Sequence, residues 1–119
     1  MQAYFKHYFT NIFLAGVFLL AGCSNGPVVT ITNHSSVTLS NMLISGSGFT
    51  NGVEPMAPNS QFKLAVHPQG ETGLRVAFDA AGQHIDSGEQ GYFESGNAYH
   101  CAVAINSNLQ VTVSSDLRY

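Results

Sequence analysis

The chain is 119 residues long, carries a formal net charge of −3, and is only 9% charged, against roughly 25% in an average soluble domain. Polar work falls instead to Ser, Thr, Asn and Gln, which predicts a neutral, hydroxyl-rich surface. The scarcity of Lys and Arg argues against a nucleic-acid partner, whose phosphates those residues would neutralise, and leaves no polybasic run for anionic lipid.

At the start of the chain, Met1 to Asn11 carries Lys6, Ile12 to Leu20 is a nine-residue apolar run, and the small residues Ala21 and Gly22 precede Cys23. This is the three-part layout of an export signal, too short for the roughly 20 apolar residues of a membrane-crossing helix. Leu20-Ala21-Gly22-Cys23 resembles the lipobox of bacterial lipoproteins. The resemblance implies cleavage between Gly22 and Cys23, a diacylglyceryl group on the cysteine sulfur and, commonly, acylation of the new amine. Ser24 after the cysteine implies sorting to the outer membrane by that family's rule, and the domain is separately expected to face the periplasm. The expected organisation is a signal peptide over residues 1–22, a lipidated cysteine and short tether over 23–27, and one domain over 28–119. Two or three acyl chains hold a protein stably where one does so marginally. Residues 24–27 span at most about 14 Å, so the domain is expected to sit against its membrane.

From Val28 onward the apolar residues alternate and never sustain helical spacing, which predicts an all-β fold. Val28 and Ile31 belong to a first strand, closed by the turn-forming Asn33-His34-Ser35-Ser36. Val37 and Leu39 alternate, then Met42 and Ile44 do so one register later, predicting a bulge near Ser40-Asn41. Gly46-Ser47-Gly48 ends that run, and a connecting stretch carries Val53 and Met56. Phe62, Leu64 and Val66 share one face of the next strand, with Lys63 and His67 on the other.

A break is expected from Pro68 to Gly73, followed by a one-sided strand of Leu74, Val76 and Phe78 with Arg75 on its reverse. Ala81-Gly82 should turn the chain into a weaker strand around Ile85, which Gly88 to Gly91 interrupt before Tyr92-Phe93. After the turn Ser95-Gly96-Asn97, the residues Tyr99, Cys101, Val103 and Ile105 alternate with His100, Ala102 and Ala104. Asn106-Ser107-Asn108 predicts a hairpin into Leu109, Val111 and Val113, and the pattern fades from Thr112 to Tyr119. Seven to eight such strands predict an antiparallel β-sandwich, with a small β-barrel as the alternative.

With Cys23 lipidated, Cys101 has no internal disulfide partner, and its alternation places it in the core as a small hydrophobe. Glu94, Gly96 and Tyr99-His100-Cys101 resemble the F strand of immunoglobulin domains, with one residue more in the spacing and no Trp. Ser95-Gly96-Asn97-Ala98-Tyr99 is similar to the Ser-Gly-x-x-Tyr loop of small bacterial lysozyme inhibitors. That resemblance implies a partner-binding loop in which Ser95, Gly96 and Tyr99 enter a lysozyme cleft. His34, His67, His84 and His100 show no metal-ligand spacing, so neither a metal site nor a cofactor is expected. Glu71, Asp79, Asp86, Glu89 and Glu94 fall in or near turns, and no Gly-x-Ser-x-Gly elbow occurs.

These readings lead to the expectation of a membrane-anchored, non-catalytic binding or structural module for another envelope protein. The alternative is a periplasmic inhibitor or immunity protein against a hydrolase or toxin. An enzyme ranks third because no base, nucleophile and oriented pocket are visible together, and no small-molecule substrate is inferred.

Overall fold

The computed structural model describes residues 26–118. The expected signal peptide over 1–22, the expected lipidation at Cys23 with the first part of the expected tether, and Tyr119 lie outside the described residues. Eight strands follow in order: β1 (Val28–Asn33), β2 (Ser40–Gly46), β3 (Phe49–Val53), β4 (Gln61–Ala65), β5 (Glu71–Ala80), β6 (Gln83–Glu94), β7 (Tyr99–Ile105) and β8 (Val111–Leu117). They form two four-stranded sheets, β4-β1-β7-β8 and β3-β2-β5-β6, that are not closed into a barrel. The fold is the expected all-β sandwich.

Alternation explains the core. In β5, Leu74, Val76 and Phe78 are fully buried while Arg75 between them is exposed. Ile31, Met42 and Phe93 meet them from the other strands, each fully buried or nearly so. Burying a side chain of that size stabilises the fold by about 1.5–3 kcal/mol before chain entropy is counted. Cys101 is also fully buried, on the face the alternation predicts.

One pairing departs from the antiparallel expectation. β1 is antiparallel to β4 but parallel to β7, with Val28 opposite His100 and Asn33 opposite Ile105. Inserting the first strand between two late ones makes its direction a property of the assembled sheet. Alternation, which reports only which side chains face inward, carries no information about it.

Four boundaries also differ. The expected interruption at Gly88 to Gly91 is absent, because β6 runs unbroken for 12 residues. Its pairing with β5 slips by one residue between Leu74 and Thr72 and again between Ala77 and Arg75. Gly88 (φ +65°) and Gly91 (φ +74°) sit at those slips, so the glycines are β-bulges and do not end the strand. The break expected from Pro68 to Gly73 ends at Gly70, since β5 already pairs from Glu71. The stretch read as a connector contains β3, an edge strand held by its register with β2 despite its Asn and Gly. The faded segment from Thr112 is β8, paired with β7 along its whole length.

The bulge expected at Ser40-Asn41 is present, with Asn41 at φ +49° and the β2–β5 register shifting between Ser40 and Leu43. The hairpin after Ile105 is present too. Asn106 Oδ1 accepts bonds from the amides of Asn108 (2.9 Å) and Gln110 (3.0 Å), and Leu109 takes φ +63° ahead of β8.

Candidate functional site

The sandwich has two unlike ends. At the first, where the chain enters at Gly26, the Val66 amide donates to Pro27 O, Gln69 to Ser47 O, Ser95 to Gly70 O and Arg118 to Ala98 O. This end, called the tether end for the tether expected over 23–27, therefore gathers the β2–β3, β4–β5 and β6–β7 connections and the end of β8. The opposite end gathers the β1–β2, β3–β4, β5–β6 and β7–β8 connections.

Asn33, fully buried at the end of β1, organises the far end. Its Nδ2 lies 3.0 Å from Val37 O, 3.1 Å from Met56 O and 3.1 Å from Ala57 O. Its Oδ1 accepts from the amide (3.0 Å) and hydroxyl (2.6 Å) of Ser35. One amide thus fastens the β1–β2 and β3–β4 loops together, and among the described residues no buried side-chain N or O lacks a partner. The exposed loop residues of this end include His34, Ser36, Thr38, Asn59 and Asn108, with Glu54 the one carboxylate in its loops. Such a surface is held in place before any partner arrives, which lowers the ordering cost of binding.

Ser95 and Gly96, expected to form a partner-binding loop, are exposed in the β6–β7 turn at the tether end, with Gly96 at φ +81°. Tyr99 is not part of that projection. It opens β7, is half-buried, packs against the core, and meets Tyr92 edge-on with ring centroids 6.3 Å apart. The Tyr92 hydroxyl donates to Glu94 Oε2 at 3.2 Å. Burial, together with Glu71 and Glu94, pushes its pKa up to about 12.

The Cys101 thiol is likewise pushed up to about 11, by burial first and Asp116 second, which disfavours the reactive thiolate. The histidines stay apart, and no group of three His, Cys, Asp or Glu among the described residues could hold a metal ion. His84 Nδ1 is 2.7 Å from Asp79 Oδ1 on the open face of the second sheet.

Charge is divided between the sheets. Six of the seven carboxylates, Glu54, Glu71, Asp79, Asp86, Glu89 and Glu94, lie on or directly beside β3-β2-β5-β6. Arg75 on that sheet is engaged by Asp86, its Nε 2.9 Å from Oδ1. Lys63 lies on β4 and Arg118 directly follows β8, and together with Gly26, Val28, Ala98, Tyr99 and His100 they line a shallow cavity of about 250 Å³ on the outer face of the first sheet at the tether end. His100 is held there by Thr30 Oγ1 (3.0 Å from Nε2) and by Arg118 Nη2, which donates to Nδ1 at 3.3 Å. Asp116 lies 3.5 Å from the Arg118 guanidinium and 3.9 Å from His100 Nδ1.

Sequence reasoning missed this cluster because its members are far apart in the chain. The registers of β4, β1 and β7 bring Lys63 beside Thr30 and His100 beside Val28. The one available signal was that Lys63 and His100 both fall on outward positions of their strands.

No protein-family model and no curated protein matches the chain. Among solved structures, the chain is similar to a protein from Eubacterium rectale determined by NMR, at 12% identity and a TM-score of 0.47, covering 79% of this chain and 89% of that one. Among the described residues, no helix is long and apolar enough to cross a membrane.

Proposed function

We propose that the chain is an outer-membrane lipoprotein, anchored through acyl chains on Cys23 and facing the periplasm, whose domain is a non-catalytic binding or structural module for another envelope protein. The observation that carries this reading is the polarity of the sandwich. The chain enters β1 at one end, a few residues after the lipobox-like Leu20-Ala21-Gly22-Cys23, while the loops fastened by Asn33 stand at the other. An anchored protein built this way offers its partner a pre-ordered, mostly uncharged surface directed away from the bilayer.

Crosslinking the full-length protein in envelope membranes, followed by purification in detergent, tests this. The expected result is one partner recovered with the native chain and lost from a Ser36→Arg/Asn59→Arg double variant that still folds. Repeated recovery of the chain alone, or a partner indifferent to that double variant, counts against it.

A second reading, an inhibitor or immunity protein against a hydrolase or toxin, draws on the exposure of Ser95 and Gly96. Their turn lies at the tether end, so the target would have to reach the bilayer surface. Undiminished lysis by lysozyme at excess of the chain removes the lysozyme version.

A further inference from the structure

The described domain is acidic, yet two of its three Lys and Arg residues line a single cavity beside the point where the chain enters the fold. Arg75 is occupied by Asp86, whereas Lys63 makes no ion pair with a described residue. Arg118 Nε lies 3.5 Å from Asp116 Oδ2 on a rim where that carboxylate is 63% exposed. His100 is fixed from both ring nitrogens, so its orientation is set before any ligand arrives.

From this geometry we infer that the cavity formed by Lys63, His100 and Arg118 binds a phosphate-type oxyanion. Arg118 supplies a planar fork for two oxygens and Lys63 a point charge from β4, while His100, held by Thr30, accepts from Arg118 Nη2 and so positions that guanidinium at the cavity. Asp116 acts as an internal competitor for Arg118 that an incoming anion displaces. This is a discrete pocket for one group, unlike the polybasic run whose absence is evident in the sequence. Its place beside Gly26 sets it against the headgroup layer if Cys23 is acylated, so the source of the phosphate would be a lipid headgroup. That assignment of source rests on the lipoprotein reading, whereas the pocket does not.

The test follows the NMR resonances of His100 and Arg118 in the full chain, held in nonionic detergent and titrated with inorganic phosphate. A saturable shift is expected, weakened about tenfold by Lys63→Gln and by Arg118→Gln, as for loss of one charged hydrogen bond. Asp116→Asn, on the exposed edge of β8, should tighten binding. A purely structural role for these side chains would not produce that opposite pair of effects.

The same resonances are then read in bicelles of phosphatidylcholine with and without phosphatidylglycerol. A shift that needs phosphatidylglycerol supports the pocket and identifies a headgroup as the source. Saturable phosphate binding with no bicelle difference supports the pocket with free phosphate as its ligand. No saturable shift in either arm, or equal binding by the Lys63→Gln/Arg118→Gln double variant, overturns the proposal. Neither failure bears on acylation of Cys23, which is measured separately by mass.

Discussion

The side-chain amide of Asn33, itself fully buried, bonds to carbonyls in two loops and receives two bonds from Ser35. Removing a buried partner of that kind leaves several backbone groups desolvated and unpaired. Asn33→Ala is therefore expected to cost about 3 kcal/mol in urea unfolding, well above the effect of a surface substitution. A loss below about 1 kcal/mol would mean that water or a rearranged loop replaces the amide.

At the exposed Arg75–Asp86 pair the consequence is a pH dependence. The guanidinium bonds, with help from the Gly88 amide, lower the Asp86 pKa to about 2. A folded-state pKa below the unfolded value means that the pair favours the fold above the ordinary carboxylate range, around pH 4, and loses that contribution as the pH falls towards about 2. The carboxyl resonance of Asp86 should titrate near that value, and Arg75→Gln should return it towards the usual range. An ordinary midpoint in the native chain would show that the pair does not persist in solution.

At the scale of elements, β6 and β8 face each other as sheet edges, and side chains join them. Gln90 Nε2 donates to Val111 O at 3.1 Å and Gln90 Oε1 accepts from the Val113 amide at 3.2 Å, so one side-chain amide imitates a strand residue along β8. The Ser115 hydroxyl similarly serves both the amide and the carbonyl of Tyr92. These contacts cover an edge that would otherwise invite pairing with another chain. Gln90→Ala should speed hydrogen exchange at the Val113 amide and destabilise the fold by about 1–2 kcal/mol. Unchanged exchange would show that water serves the edge equally well.

This clasp also explains why β8 faded in the sequence. Ser115 occupies an inward position where alternation calls for an apolar residue, because its hydroxyl is spent on Tyr92. β6 was hidden by a similar ambiguity, since glycine at positive φ serves a bulge as readily as a turn, and only the partner strand distinguishes them. The strands with clean alternation, β5 and β7, were legible, as were the Ser40-Asn41 bulge and the Ala81-Gly82 turn.

For the whole molecule, two-sheet layering follows from one-faced strands that must bury their apolar sides against each other. The parallel insertion of β1 beside β7 does not follow, and with it the meeting of Lys63, His100 and Arg118 escaped the sequence, because both depend on contacts between distant segments. The same insertion gives the sandwich its direction. β1 leads from the tether end towards the loops fastened by Asn33, and the acidic sheet lies on the opposite face from the Lys63–Arg118 cavity. The proposed anchor at Cys23 would turn that internal polarity into an orientation relative to a bilayer.

The intact mass of the mature chain from its native host tests that anchor most directly. The expected product is a polypeptide beginning at Cys23 and carrying a diacylglyceryl group, with or without a further acyl chain on its amine. A chain that keeps its first 22 residues, or that begins at Cys23 with no added lipid, would contradict it.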